Sequence, residues 1–184
     1  MGTYMSTGLI IKFTVEKRNL DFFDNGLDDI KKELKSKYYY DFDLYEQSEV
    51  DDFYVFELKS KVMEENLVPL LKEIYPKLYT DKESYVNCEY VLQDLLNSNK
   101  EEIMDLAKNG YKIPFQYDKY ANPDYVYGKF GKEVVVRYAM ISLYADGKIM
   151  LETYPAQFNF FKFCMVKAYP KNPIVASLKV YISG

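Results

Sequence analysis

Residues 133–144, with valine at 134, 135 and 136 followed by Tyr138, Met140, Ile141 and Leu143, constrain the fold more than any other stretch. In an extended chain successive side chains point to opposite faces, and here both faces are mostly apolar. Such a strand must be covered on both sides, which predicts a central strand of a sheet with packed faces. Residues 8–16 are β-branched and apolar and predict a first strand. Asp146 and Gly147 form a two-residue hairpin signal, with residues 149–154 returning. Residues 53–58 predict another strand. At the far end Ile174, Ala176, Leu178, Val180 and Ile182 alternate with Val175, Ser177, Lys179 and Tyr181 as a last one.

The helices are marked by their ends. After the turn at Asp24, Asn25 and Gly26, the apolar residues Leu27, Ile30 and Leu34 fall at helical spacing. Asp28 and Asp29 stand at the start and lysines at the end, an order that suits the helix dipole and predicts a helix over 27–37. Leu67, Leu70, Leu71 and Ile74 predict a second helix, with Pro69 in its first turn and Pro76 ending it. Thr80 with Glu83, and Ser98 with Glu101, are capping boxes that open two helices of a helical middle, residues 81–109; Asn109 and Gly110 close the second. Residues 158–169 suit a helix between Pro155 and Pro170, though Phe161, Phe163 and Met165 also suit a strand. Residues 111–131 have no periodicity and seven aromatics, and read as a long ordered aromatic loop with room for one short strand.

The resulting order is β-α-β-β-α, then α-α, then β-β-α-β. Hairpins instead of strict βα alternation argue an α+β fold with a mostly antiparallel mixed sheet packed by helices. Nothing along the chain reads as a linker, so residues 1–184 are expected to form a single α+β domain.

Composition limits the chemistry. There is no histidine, which removes Ser-His and Cys-His catalysis, His-ligated zinc and imidazole pH switches. Cys88 and Cys164 are far apart, in apolar surroundings and outside any CxxC, so both are expected to be unpaired and inert. No Asn-x-Ser/Thr sequon occurs, no signal-like segment opens the chain, and no apolar run has the length of about 20 residues that spans a bilayer. The expected setting is cytoplasmic, without a membrane. Of 24 basic residues only Arg18 and Arg137 are arginine, and the lysines alternate with acids, which disfavours nucleic acid. The net charge of −4 comes with 20 Tyr and 12 Phe, too aromatic for a disordered acidic chain.

Few patterns carry chemistry. Asp21, Asn25, Gly26 and Asp29 match four positions of a calcium loop, but Phe23 and Lys32 occupy two ligand positions, so no metal is expected. Gly128 to Lys132 is not a phosphate loop, because the glycines stand too close and no Ser or Thr follows the lysine. No cofactor fingerprint occurs. Two features remain. Residues 38–46 alternate, which in a strand sends Tyr38, Tyr40, Phe42 and Leu44 inward. Tyr39, Asp41, Asp43 and Tyr45 then form an acidic, tyrosine-rich face, with Glu49, Asp51 and Asp52 in a loop over 47–51 and just beyond. The aromatic loop offers Tyr117, Tyr120, Tyr125 and Tyr127 as a second binding surface. The expected function is that of a non-catalytic binding protein whose partner is another, basic protein, such as an inhibitor or immunity-type antidote to a basic effector. The alternative is a small enzyme or ligand-binding protein with a carboxylate- and tyrosine-lined pocket.

Overall fold

A computed structural model describes residues 4–67, 69, 70, 73, 115–118, 123–143, 166, 167 and 169–183. Within them the chain is α+β. In order come β1 (Tyr4–Glu16), α1 (Leu27–Tyr38), β2 (Tyr45–Val50) and β3 (Phe53–Leu58). A helical stretch follows, α2 (Ser60–Val62) running on as a π-helix over Met63–Leu67. Then come β4 (Phe115–Asp118), β5 (Asp124–Tyr127), β6 (Glu133–Leu143) and β7 (Leu178–Ser183).

All the strand pairs among the described residues are antiparallel. The long strands β1 and β6 form the centre, paired from Thr7 opposite Leu143 to Val15 opposite Val136. The outer edge of β1 is shared end to end by β7, opposite Tyr4 to Leu9, and β3, opposite Lys12 to Glu16. The outer edge of β6 is shared in the same way by β4 and β5, while β2 lies outside β3. The central strand expected over residues 133–144 is met by β6, which covers Glu133–Leu143.

A β-bulge interrupts β1 at Ile11, between Ile10 opposite Met140 and Lys12 opposite Ala139. Leu9, Ile10 and Ile11 are all buried. Beyond the bulge burial alternates, with Phe13 and Val15 fully inside and Lys12, Thr14 and Glu16 half-buried. Phe13 is the hub of an aromatic cluster. Its ring stacks on Phe56 at 4.6 Å and meets Tyr40 at 4.8 Å, Tyr45 at 5.2 Å and Phe42 at 5.7 Å edge-on. Such ring pairs add about 0.5–1.5 kcal/mol each beyond the area they bury. Ile30 and Leu34 bring the apolar stripe of α1 into the same core, and the Lys31 ammonium sits over Phe42 and Phe56.

Several expectations are corrected. Residues 38–46 are not a strand: α1 runs through Tyr38, residues 39–41 are irregular, Phe42–Leu44 is a 3-10 turn and β2 starts only at Tyr45. Residues 47–50 belong to β2 and not to a loop. Every residue of β2 after Tyr45 is exposed, and the polar composition that suggested a loop is that of an edge strand. Ile174 does not begin a strand. The Asn172 side chain accepts from the Ile174 amide at 3.1 Å and starts a 3-10 segment, Pro173–Ser177, in which Ile174 and Val175 are both buried. The aromatic loop over 111–131 contains two strands, β4 and β5. The helix expected from Leu67 is preceded by helical residues from Ser60. The helical middle 81–109, both cysteines, the turn at Asp146 and Gly147 with residues 149–154, and residues 158–165 lie outside the described residues. Among the described residues no helix is long and apolar enough to cross a membrane.

Candidate binding groove

The groove starts from how α1 ends. Tyr39 follows the helix in the left-handed conformation, φ 60° and ψ 32°, and the amides of Tyr39 and Tyr40 both return to the Leu34 carbonyl. Glycine or asparagine is the usual residue at such a stop, and an L-residue with a full side chain costs about 1–2 kcal/mol there. The reversal drives Tyr40 into the core and leaves Tyr39 62% exposed. Asp41 then caps the next turn, its Oδ1 accepting from the Asp43 amide at 3.2 Å. Lys59, just past β3, holds that turn twice, donating from Nζ to the Asp43 carbonyl at 2.8 Å and from its amide to the Leu44 carbonyl at 3.0 Å.

The opposing wall is residues 169–175. It is anchored by Asn172, whose side chain donates to the Asn66 carbonyl at 3.1 Å. Between the walls lies an open groove of about 510 Å³, lined by Lys35, Tyr39, Tyr40, Asp41, Asp43, Val166, Tyr169, Pro170, Asn172 and Val175. Three of the four residues expected on the acidic face, Tyr39, Asp41 and Asp43, therefore do share a surface. They share it because of a helix stop and a 3-10 turn, and not as alternate positions of a strand.

Tyr45, the fourth, is a correction. It is buried against Phe13, and its hydroxyl donates to the Ile10 carbonyl at 2.7 Å, between the β7-paired and β3-paired parts of β1. The period-2 count fails because a left-handed residue and a 3-10 turn intervene. With three residues per turn, Phe42 and Tyr45 fall on one side. Burial pushes the Tyr45 phenol well above its ordinary value.

The aromatic-loop candidates separate. Tyr125 and Tyr127 are 41% and 60% exposed on β5, with Val126 buried between them. Tyr117 pairs through its backbone with Ile141 of β6, and Tyr120 lies outside the described residues. Tyr38 links this region to the groove, donating from its hydroxyl to the Tyr125 carbonyl at 3.0 Å.

One layer behind the groove is a polar cluster that sequence reasoning missed. The Tyr40 hydroxyl donates to Asp124 Oδ2 at 2.5 Å, and Lys179 Nζ lies 3.9 Å from the same oxygen. The Lys179 ammonium also donates to the Tyr38 carbonyl and stands 4.2 Å from the Tyr40 ring centre. Desolvation raises the Asp124 carboxyl, with Lys179 and the Tyr40 bond pulling the other way; desolvation and then Asp124 hold the Tyr40 phenol far above its usual range. The cluster ties β5, β7 and the end of α1 together. An acid, an amine and a phenol in such contact are also the parts of a proton relay, although only Tyr40 reaches the groove. In the sequence Lys179 fell on one side of the alternating last strand and Asp124 lay within the aperiodic loop over 111–131, so neither carried a signal.

Asp29 turns back on Asn25, accepting from its amide at 3.0 Å and its side chain at 3.1 Å, and those bonds hold its carboxyl below the usual range. Among the described residues no group of three or more His, Cys, Asp or Glu is arranged to hold a metal ion. No protein-family model, no curated protein and no solved structure matches the chain.

Proposed function

We propose that this chain is a cytosolic, non-catalytic protein-binding module that takes a basic protein surface into the groove between Tyr39 and residues 169–175. An inhibitor or immunity-type antidote to a basic effector is the concrete form of this reading. The observation that carries it is Tyr39. A large aromatic held exposed in a left-handed backbone, where glycine would suit the fold better, sits at the rim of an open groove beside Asp41 and Asp43. Exposed tyrosine gives contact area at low entropy cost, and the two carboxylates add a field that speeds encounter with a cation-rich partner.

The test is a capture from native extract with the immobilised chain, run beside an Asp41→Asn, Asp43→Lys variant; the asparagine keeps the cap on the 3-10 turn. A specific partner should bind the wild type, associate more slowly as salt rises through the range where the screening length falls below about 10 Å, and associate more slowly with the variant. Tyr39→Ala should speed its dissociation by about tenfold or more. A partner indifferent to all three changes refutes the reading.

The second reading, a small enzyme or ligand-binding protein, is favoured by the Asp124–Lys179–Tyr40 cluster. It requires that Lys179→Met abolish an activity or a small-molecule affinity while the domain stays folded.

A further inference from the structure

The turn between β5 and β6 presents one side chain to solvent more completely than any other large hydrophobic among the described residues. Phe130 is 89% exposed. It is not there by looseness of the turn. The Gly128 amide donates to the Lys132 carbonyl at 2.8 Å, closing the loop around a 3-10 segment, Lys129–Gly131. Phe130 and Gly131 then take consecutive left-handed conformations, φ 61° and φ 68°. The base of the loop is seated on the Lys17–Phe22 segment so closely that a Cβ on Gly128 would stand 2.4 Å from the Phe22 carbonyl oxygen. The Lys132 ammonium lies over the Phe22 ring at 5.8 Å, and Lys129 reaches Asp24 at 3.7 Å in a pair exposed on both sides. A left-handed backbone costs the fold at an L-residue, and at Phe130 that cost coincides with a ring 89% exposed, which marks a residue held out for contact.

A phenyl ring with the Lys129 ammonium 5.8 Å from its centre, on a tip that also carries Lys132, fits an apolar slot with acidic side chains beside it, and the same chain carries one. The groove is lined by Tyr40, Val166, Tyr169 and Val175 together with Asp41 and Asp43, and Lys35 is the one cation among its described lining residues. Its volume of about 510 Å³ exceeds the roughly 150 Å³ that suffices for a benzene ring, leaving room for the lysine stems.

We infer that the Lys129–Phe130–Lys132 tip of one copy docks in the groove of a second copy, with Phe130 as the anchor and Asp41 and Asp43 facing the lysines. The inference rests on the groove being a protein-binding site, and it names the occupant. Two chains of net charge −4 repel at longer range, so the contact is weak and shows only at high protein concentration.

Sedimentation of the full chain from about 10 μM to about 1 mM tests this, the upper limit being where a contact of millimolar affinity still shows. The wild type should associate as concentration rises, and Phe130→Leu should behave like it. Phe130→Ala and Asp43→Lys, both at exposed positions, should each weaken association by about thirty-fold. An equimolar mixture of those two variants should recover a one-to-one complex, because one brings an intact groove and the other an intact tip. A wild type that stays monomeric removes the second copy as occupant and leaves the groove reading to its own test. Association lost in Phe130→Ala but kept in Asp43→Lys places the tip on another surface and overturns the inference. A monomeric wild type that binds phosphatidylserine-containing vesicles through Phe130 overturns the inference in favour of a lipid surface.

Discussion

Phe13 and Phe130 are the same side chain put to opposite uses. Phe13 is fully buried on β1, with four rings in contact around it and a backbone in ordinary strand geometry. Phe130 stands in solvent in a left-handed turn, as Tyr39 does at the end of α1. In the first region side chain and backbone favour the same structure. In the second the backbone is left-handed at both residues and the Phe130 ring is 89% exposed. The comparison separates the aromatics that hold the sheet together from those available to a partner.

The largest effect should come from the buried hub. Phe13→Ala removes the ring on which Tyr40, Phe42, Tyr45 and Phe56 all pack, and denaturant unfolding should show a loss of about 3–5 kcal/mol. A loss below about 1 kcal/mol would mean that the cluster is not the core.

Next in size is the phenol behind the hub. Tyr45→Phe keeps the ring and leaves the Ile10 carbonyl without its partner, which should cost about 1–3 kcal/mol at neutral pH. The alkaline limb sharpens the same point. The Tyr40 and Tyr45 phenols are raised in the folded state, so their neutral forms are favoured by folding. Their contribution is complete below the ordinary tyrosine value of about 10 and is lost as the pH climbs above it. Stability should therefore fall above about pH 10, less steeply in Tyr45→Phe, with phenolate absorbance from the buried pair appearing only as the chain unfolds. Ionisation of every tyrosine in the folded protein near pH 10 would contradict the burial.

The smallest effect has the opposite sign. Tyr39→Gly and Phe130→Gly each relieve a left-handed L-residue and should raise stability by up to about 1 kcal/mol, the gain being reduced by the extra freedom of glycine in the unfolded chain. Destabilisation by either would show that the exposed ring has a packing role and would end the contrast with Phe13.

How far the sequence carried depended on whether neighbours along the chain decide the structure. In α1, the stripe of Ile30 and Leu34 and the ordering of acids and lysines are local, so its position could be read within one residue. In residues 39–45 the signal misled, since an alternation of aromatics and acids is compatible with a strand until a left-handed stop shifts its phase. Tyr39, Asp41 and Asp43 share a surface for a structural reason other than the expected strand, and Tyr45 was assigned to the wrong side.

The sequence by itself determined the α+β class, the central position of residues 133–143, and the exclusion of every mechanism that needs imidazole. Periodicity and composition are properties of the chain alone, and these conclusions need nothing else. Only the tertiary structure decided that Asp124 and Lys179 meet beneath Tyr40, that Ile10 offers its carbonyl to Tyr45, and that residues 169–175 face the end of α1 across a groove. Those hydrogen bonds join residues 35 to 84 positions apart, and a desolvated acid finds its amine only after the sheet has brought β5 and β7 to the end of the same helix.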